Sequence, residues 1–389
     1  MSLFGEIAEV AARELKIMAK RPIYVAASVI TMAFCTFFFL TFLGKGLPED
    51  LPIGVVDLDG SSISRRFARE LDASRLGKTV HYPDFVQARN DMQKGRINAF
   101  IVLPAGLNED VMAYRRPVIS YYVNSLYFVG GALAYKQALT MATLSSAAVQ
   151  REVLRAKGMD EDKIMGMLQP IVIDAHQIGN ATTSYQTTLC NMLIPGMLQM
   201  IAILLTIYCL GTELKYRTSR KLLELSGGSF GAAIIGKLIP LTVLMLMLGW
   251  LCDLLLYHWL HFPVAGSIWN IFLGTTMLVL ASEALGIFIL GCLPVLRDAI
   301  SVGSLASMLS LSLTGFTLPV EVMPAPFTGL TCVFPLRHYY LFFIQEGIHA
   351  TGFGGWYVQL LCFMAFLFLP LLVWRRLKNA YIRQDYPQN

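Results

Sequence analysis

Residues 191–210, NMLIPGMLQMIAILLTIYCL, form a run of 20 residues without a charged side chain. A helix of about 20 apolar residues is long enough to cross the roughly 30 Å hydrocarbon core of a bilayer. Further runs with at most one charged residue lie at 23–43, 238–257, 268–293, 299–318 and 356–374. The sequence therefore predicts a polytopic α-helical membrane protein with six transmembrane helices.

The composition of the whole chain supports this class of protein. Of the 389 residues, 55% are apolar and only 15% are charged, which is too apolar for ordinary soluble domains. The net charge of +5 comes from scattered basic residues rather than a basic run interleaved with aromatics, so nucleic-acid binding is not indicated. Seven cysteines without a Cys-x-x-Cys pair indicate neither a disulfide framework nor a zinc site.

The distribution of basic residues predicts the orientation of the spans. The first run, 23–43, is longer than the apolar core of a signal peptide, so we interpret it as an uncleaved anchor. The short segments 1–22, 211–237, 294–299 and 375–389 carry 14 lysines and arginines, whereas the opposite short segments, 258–267 and 319–355, carry only Arg337. Because short cytoplasmic loops are rich in basic residues, both termini are predicted to be cytoplasmic.

The long segment between the first two spans has the pattern of an α/β domain outside the cytoplasm. Predicted strands lie at 51–57, 78–82, 99–103 and 118–123, and predicted helices at 61–71, 85–94 and 124–157. An extended piece at 170–178 leads to the second span, and Ser61 or Ser62 is predicted to cap the first helix. The predicted segments are an amphipathic N-terminal segment (1–22), helix 1 (23–43), this external α/β domain with long helices (44–190), a five-helix membrane domain (191–374) and a cytoplasmic tail (375–389).

Two fragments of the cytoplasmic loop 211–237 approach ATPase motifs without completing them. Residues 225–229, LSGGS, are similar to an ABC ATPase signature, and Gly231-x4-Gly236-Lys237 is similar to a phosphate-binding loop. Leu238 stands where that loop needs Ser or Thr for magnesium, and the chain there enters the bilayer. We therefore expect no catalytic residues, no metal and no nucleotide site on this chain.

Three features in the spans or next to them are candidate functional groups. Glu283 lies in the middle of the predicted fourth span, where an ionised side chain is costly, and is either structural or in contact with a substrate or proton. Asp253 lies about one turn from Tyr257 and is expected to reach the outer interface. His258 and His261 lie three residues apart, but without a third ligand the interfacial interpretation is favoured over a metal site.

Small residues mark one face of the predicted fifth span. Gly303, Ser307, Ser310 and Thr314 recur at helical spacing, which favours close helix packing and leaves a role in a transport path open. In the second span, Pro195-Gly196 is predicted to bend the helix, because proline removes a backbone hydrogen bond.

The loop after the second span also carries a family resemblance. Residues 213–225, ELKYRTSRKLLEL, followed by Gly236-Lys237-x-x-Pro240, resemble the hallmark of ABC type 2 exporter permeases. The sequence departs from that pattern at Arg217, where the family has glycine, and at Ser226-Gly227, where it has Thr-Pro. Asn180-x3-Ser184-Tyr185, Gly315-Phe316-x-x-Pro319 and the strand 52–57 with Asp59 and Gly60 extend the similarity over most of the chain.

The resemblance implies a permease subunit of an exporter for drug-like or lipid-like cargo in the bacterial inner membrane. It implies a homodimer or heterodimer of permeases, two ABC ATPase subunits that hold ATP and magnesium, contact with membrane lipids, and a periplasmic domain that leaves an adaptor protein open as a partner. A coupling helix would dock on the ATPase through residues of the loop, with Leu222 and Leu223 as apolar anchors and Glu213 and Arg217 at a polar rim. The remaining coupling residues are Lys215, Arg220, Lys221 and Glu224.

In the same resemblance the second and fifth spans line the export path and the subunit interface, which assigns Pro195, Gly196 and the small-residue face to that path or interface. An interfacial helix on anionic lipid is the alternative for the coupling loop. A membrane-anchored ligand sensor and a membrane enzyme are the alternative functions. No cytoplasmic segment is long enough for a signalling domain, and the external segment shows no catalytic constellation.

Overall fold

A computed structural model describes residues 3–44, 51–73, 77–113, 115, 117–124, 128–169, 179–180, 184–316, 318–384 and 386. The chain divides into two compact units. One comprises Met1–Gly44 with Gln177–Asn389, and the other comprises Lys45–His176.

The N-terminal helices belong to the first unit, and the chain then enters the second. It begins with α1 (Leu3–Lys20), α2 (Pro22–Val25), a π-helical turn (Ala26–Ile30) and α3 (Thr31–Phe42). The second unit contains β1 (Leu51–Asp57), α4 (Ser62–Asp72), β2 (Gly77–Tyr82), α5 (Phe85–Gln93), β3 (Ala99–Leu103), α6 (Leu107–Met112), β4 (Ser120–Val123), α7 (Phe128–Ala156) and α8 (Glu161–Leu168).

The first unit then continues with long helices and one short one. They are α9 (Tyr185–Lys215), α10 (Ser219–Leu225), α11 (Phe230–Asp253) with a π-helical end (Leu254–Trp259), α12 (Ile268–Cys292) and α13 (Leu296–Leu313). A 3-10 turn (Val320–Val322), α14 (Ala325–Thr331), α15 (Pro335–Phe343), a second π-helical turn (Ile344–Ile348) and α16 (Phe353–Arg383) complete the chain.

Within the described residues, five helical segments are long and apolar enough to cross a membrane. They are Pro22–Phe42, Tyr185–Lys215, Phe230–Trp259, Ile268–Cys292 and Phe353–Arg383. Each contains or closely matches one of the predicted spans, although α9, α11 and α16 extend several residues beyond them. The sixth predicted span corresponds to α13, whose 18 residues include five serines. This helix ends five residues before the predicted boundary, because the chain turns at Gly315 with φ +87°.

The membrane-type unit is organised around α9. This helix is buried along most of its length and packs against α3, α11, α12 and α13. α12 lies between α9 and α16, while α1 packs along α11. The N-terminal helix α1 turns its buried residues Val10, Glu14 and Met18 toward the bundle, which places a carboxylate inside an apolar contact.

The second unit is an α/β domain, as the sequence indicates. Its sheet has the order β2-β1-β3-β4, with β1 parallel to β2 and β3, and β4 antiparallel to β3. The strands β1 and β3 occupy the predicted residues, and Ser61 Oγ caps α4 by accepting the amide of Ser64 at 3.2 Å. β4 begins two residues later than predicted, and α7 is shorter than the predicted 124–157. The predicted extended piece 170–178 lies outside the described residues.

Candidate functional site

The loop predicted at 211–237 is mostly helical, and its centre is the short helix α10. α9 continues to Lys215, and the chain reverses at Arg217, whose φ is +55°. That left-handed conformation is one that glycine adopts without strain, and Arg217 stands where the family pattern has glycine. α10 ends in a turn in which Gly228 donates its amide to the Leu223 carbonyl at 2.8 Å. Gly227 and Gly228 both have positive φ, as a helix C-terminus of this kind requires.

The C-terminal end of α16 holds α10 in place. Ser219 Oγ donates to the Tyr381 carbonyl at 2.8 Å, and Gln384 Nε2 donates to the Arg217 carbonyl at 3.0 Å. The Tyr381 hydroxyl, which is fully buried, donates to the Leu210 carbonyl at 2.8 Å. This C-terminal segment is not part of the site predicted from the sequence. The short helix is therefore braced by two long helices, α9 and α16.

The structure changes the assignment of the apolar anchors. Leu222 is completely buried in the core of its own chain, so the prediction that it anchors a partner is wrong. Leu223 is half-buried and lines an open depression of about 440 Å³. The depression is bounded by Arg220, Leu223, Glu224, Gly227, Gly228 and Ile382. Lys215, Arg217 and Lys221 are exposed but do not line the depression.

Glu213 is also placed differently from the prediction, which put it at an exposed polar rim. It is buried and belongs to a cluster of two carboxylates and two cations, Arg13, Glu14, Glu213 and Lys237, which we call the buried ion-pair cluster. Lys237 Nζ lies 2.9 Å from Glu213 Oε1 and also pairs with Glu14. Arg13 Nη1 lies 3.0 Å from Glu213 Oε1. In a medium of low dielectric, such charges remain ionised only when they are paired.

The cluster joins α1, α9 and α11 and reaches the start of α10. Thr218, the residue before α10, donates its hydroxyl to Glu213 at the end of α9. Glu14 on α1 accepts from the Tyr24 hydroxyl at 3.3 Å and from Cys209 Sγ at 3.4 Å. Lys237 is the eighth residue of α11, inside an apolar helix. A lysine in such a run is a sequence signal that an anion lies nearby, but the sequence does not say which one.

The six residues assigned to a path or subunit interface are all buried within one chain. Gly303 faces α9, where an added Cβ would lie 2.7 Å from Ile207 Cδ1. Ser310 Oγ accepts a hydrogen bond from Gln199 Nε2 at 2.8 Å across the same contact. Pro195, Gly196, Ser307 and Thr314 are buried beside them. In the structure these residues pack α9 against α13. Their role in a transport path stays a prediction.

Both acidic residues inside the spans have a threonine neighbour on the facing helix. Asp253 is buried and accepts the Thr275 hydroxyl at 2.7 Å, so the prediction that it reaches the outer interface is wrong. Glu283 Oε2 lies 2.7 Å from Thr242 Oγ1 on α11. His258 and His261 are exposed, and the described residues contain no group of three His, Cys, Asp or Glu side chains suited to a metal ion.

A further buried carboxylate, Glu346, is not among the predicted site residues and contacts the N-terminal ends of α12 and α16. Glu346 is buried on the π-helical turn after α15, where Asn270 Nδ2 donates to Oε1 at 2.6 Å and Trp356 Nε1 donates to Oε2 at 3.0 Å. The Ser267 amide donates to Oε1 at 3.2 Å. Glu346 thereby links the start of α12 to the start of α16 through three neutral N–H donors.

Fold and site together define a multi-pass membrane protein whose short helix between two long spans is held by buried polar contacts. The family model for ABC-2 family transporter proteins matches residues 23–374. The chain belongs to this family and is a membrane permease component of an ABC transporter. None of the curated proteins is significantly similar to the chain in sequence. Membership implies ABC ATPase subunits as partners.

Proposed function

We propose that this chain is the permease subunit of an exporter in the bacterial inner membrane. It works as a homodimer or heterodimer on two ATPase subunits, which bind ATP and magnesium, while the permease performs no chemistry. The cargo is drug-like or lipid-like and leaves from the cytoplasm or the inner leaflet. The observation that carries the proposal is the braced helix α10 with the open depression beside it.

The depression has the chemical character of a docking surface. Leu223 and Ile382 supply an apolar floor, and Arg220 and Glu224 supply charges of both signs at its edge. An apolar centre with a polar rim is the usual arrangement of protein interfaces. Because the fully buried Leu222 and the buried Glu213 tie α10 to the bundle, a force on α10 reaches the spans without being absorbed by a flexible loop. This is what coupling between an ATPase and a permease requires.

The topology that we propose has both termini and α10 in the cytoplasm, with the unit Lys45–His176 in the periplasm. The bias of 14 basic residues against Arg337 in the short segments supports it. In this arrangement α13 is the sixth crossing, shortened to 18 residues and completed by the turn at Gly315. An adaptor protein would attach to the periplasmic unit.

The second protomer is expected on the exposed side of α13. With the small-residue face occupied by α9, the outward residues Val302, Leu305 and Met308 remain available to a neighbouring subunit. Of these, Met308 is 66% exposed, a large apolar side chain on a helix beside α9. The export path would then run between α9 and α13 of the two protomers.

Co-purification of the ATPase subunit tests the docking site. Leu223→Asp places a charge on the floor of the depression, and burial of a leucine is worth about 1.5–3 kcal/mol, so we expect loss of the ATPase from the complex. Lys221→Asp is the matched control, because Lys221 is an exposed neighbour on the same helix that does not line the depression. Membrane insertion should survive both changes.

A variant lacking the cations Lys215, Arg220 and Lys221 separates docking from lipid contact. If the helix binds anionic lipid instead, the loss of these three charges should matter more than Leu223→Asp. A complex that remains intact in Leu223→Asp would contradict the docking proposal. Leu222→Asp is unsuitable for this test, because a charge in the core of the chain would disturb folding.

A further inference from the structure

Glu283 is a buried titratable group that does not belong to the candidate coupling site around α10. It is the sixteenth of the 25 residues of α12 and is about 5% exposed. Its Oε1 atom has no hydrogen-bond partner among the described residues, and its Oε2 atom meets only Thr242 there. No ion pair to Glu283 occurs in the described part of the bundle. An ionised carboxylate in hydrocarbon with one neutral partner is strongly disfavoured.

The hydroxyl of Thr242 supplies a second, independent reason for a neutral Glu283. Thr242 Oγ1 lies 2.7 Å from Glu283 Oε2 and 3.0 Å from the Leu238 carbonyl one turn earlier on α11. A hydroxyl has one proton to donate but can also accept. If Glu283 is ionised, both neighbours are acceptors and compete for this single proton. If Glu283 carries a proton, it donates to Thr242 Oγ1, and Thr242 donates to Leu238, so every short contact is a hydrogen bond.

The buried charged groups on α9 and α11 are paired or hydrogen-bonded to other residues. On α11, Lys237 is held by Glu14 and Glu213, and Asp253 accepts from Thr275. On α9, Glu213 belongs to the same cluster as Lys237. The described residues of α13, α15 and α16, which also pack against α12, place no titratable side chain in hydrogen-bond contact with Glu283. Among the described residues, the neutral Thr242 is thus the only side chain in hydrogen-bond contact with Glu283.

We propose that Glu283 is a proton-binding site inside the membrane, where the carboxyl group of α12 holds a proton shared with Thr242 of α11. The ligand is the proton itself, bound as the carboxylate becomes a carboxylic acid. Loss of the proton leaves an unpaired anion between α11 and α12, so the contact between these spans depends on protonation. The contact between Glu283 and Thr242 lies outside the docking site. The proposal for Glu283 is therefore independent of the proposal that α10 docks on an ATPase.

Infrared spectroscopy of the full permease in lipid nanodiscs tests the protonation state directly. We expect the wild-type protein at pH 7 to show carboxylic-acid C=O absorbance from which Glu283→Gln removes one component. Glu346→Gln is the matched control, because Glu346 is a second buried carboxyl group whose oxygens accept from three N–H donors far along the chain from Glu283, and this change should leave the Glu283 component intact. A wild-type spectrum without the band, or a Glu283→Gln spectrum with the same carboxylic-acid absorbance as wild type, would overturn the proposal.

Two further measurements keep the test independent of any one variant. Thr242→Val removes the acceptor for the proton and should shift the same band to higher frequency, whereas an unchanged band would contradict the shared proton. Glu283→Gln is a neutral isostere of the protonated acid and takes up no proton on folding, so at pH 7 it should melt at or above the wild-type temperature. It should also lose part of the wild-type decline in stability as the pH rises above the ordinary pKa of glutamic acid. A clear loss of stability in Glu283→Gln at pH 7 would indicate an ionised carboxylate and refute the assignment.

Discussion

The buried ion-pair cluster allows the loss of stability on replacing Lys237 to be predicted. Replacing Lys237 by methionine keeps much of the side-chain volume but removes the cation from two carboxylates. Glu213 retains Arg13 at 3.0 Å, whereas Glu14 keeps only the neutral donors Tyr24 and Cys209 among the described residues. Glu14 is fully buried, so its charge is left without compensation. Removing one partner of a buried pair costs about 3–5 kcal/mol.

The neighbouring cation provides the comparison. The Arg13 side chain is about 25% exposed, and Glu213 would still have Lys237 and Thr218 after Arg13→Ala. Solvent screens a partly exposed pair, so Arg13→Ala should cost about 1 kcal/mol or less. We therefore expect Lys237→Met to lower the thermal unfolding midpoint by a few degrees more than Arg13→Ala, with a difference on the order of 2–5 °C for a chain of this length.

A double variant separates a charge effect from a packing effect. In Lys237→Met with Glu14→Gln, the stranded anion is gone, and replacing both partners of a buried pair is often close to neutral. The double variant should therefore recover most of the stability lost in Lys237→Met. The measurement is thermal unfolding of the detergent-solubilised or nanodisc-embedded protein, followed by fluorescence. Equal midpoints for Lys237→Met and Arg13→Ala, or no rescue by Glu14→Gln, would refute the reasoning.

Helix packing, membrane topology and the pairing of Lys237 each lead to a further expected outcome. Gly303→Leu should force α9 and α13 apart at Ile207 and cost about 1–3 kcal/mol, and a midpoint equal to wild type would show that the contact is looser than described. In a background without native cysteines, Lys221→Cys should resist an impermeant thiol reagent added outside intact cells, whereas strong labelling would reverse the proposed topology. The purified chain should hydrolyse no ATP, because Lys237 is held in ion pairs, and turnover that disappears in Lys237→Ala would contradict this.

Local patterns accounted for most of the secondary structure. The strands at 51–57 and 99–103 match β1 and β3 because an apolar run of that length, bounded by polar turns, has few alternatives. The five long apolar helices were found because transfer into hydrocarbon depends on length and composition, which the sequence displays directly. Helix ends were less accurate, since α9, α11 and α16 continue past the predicted spans, α9 and α16 into polar residues.

The coupling helix shows why side-chain roles were harder to predict. Leu222 and Leu223 are adjacent on a helix of seven residues, and an amphipathic pattern so short does not say which leucine turns inward. The contacts of α10 with α9 and α16 decide it, so Leu222 enters the core and Leu223 lines the depression. Glu213 is charged, as rim residues usually are, but α9 extends beyond the apolar run and carries it inside.

The sequence by itself determined that this chain is a membrane protein, the approximate positions of its spans, and the presence of an α/β domain between the first two spans. Each of these properties is a sum of local contributions along the chain. Only the tertiary structure decided that Lys237 pairs with Glu14, a residue 223 positions away, and that Glu283 meets Thr242. Partners of buried charges are set by which helix faces pack together, and that choice depends on the whole bundle rather than on any one segment.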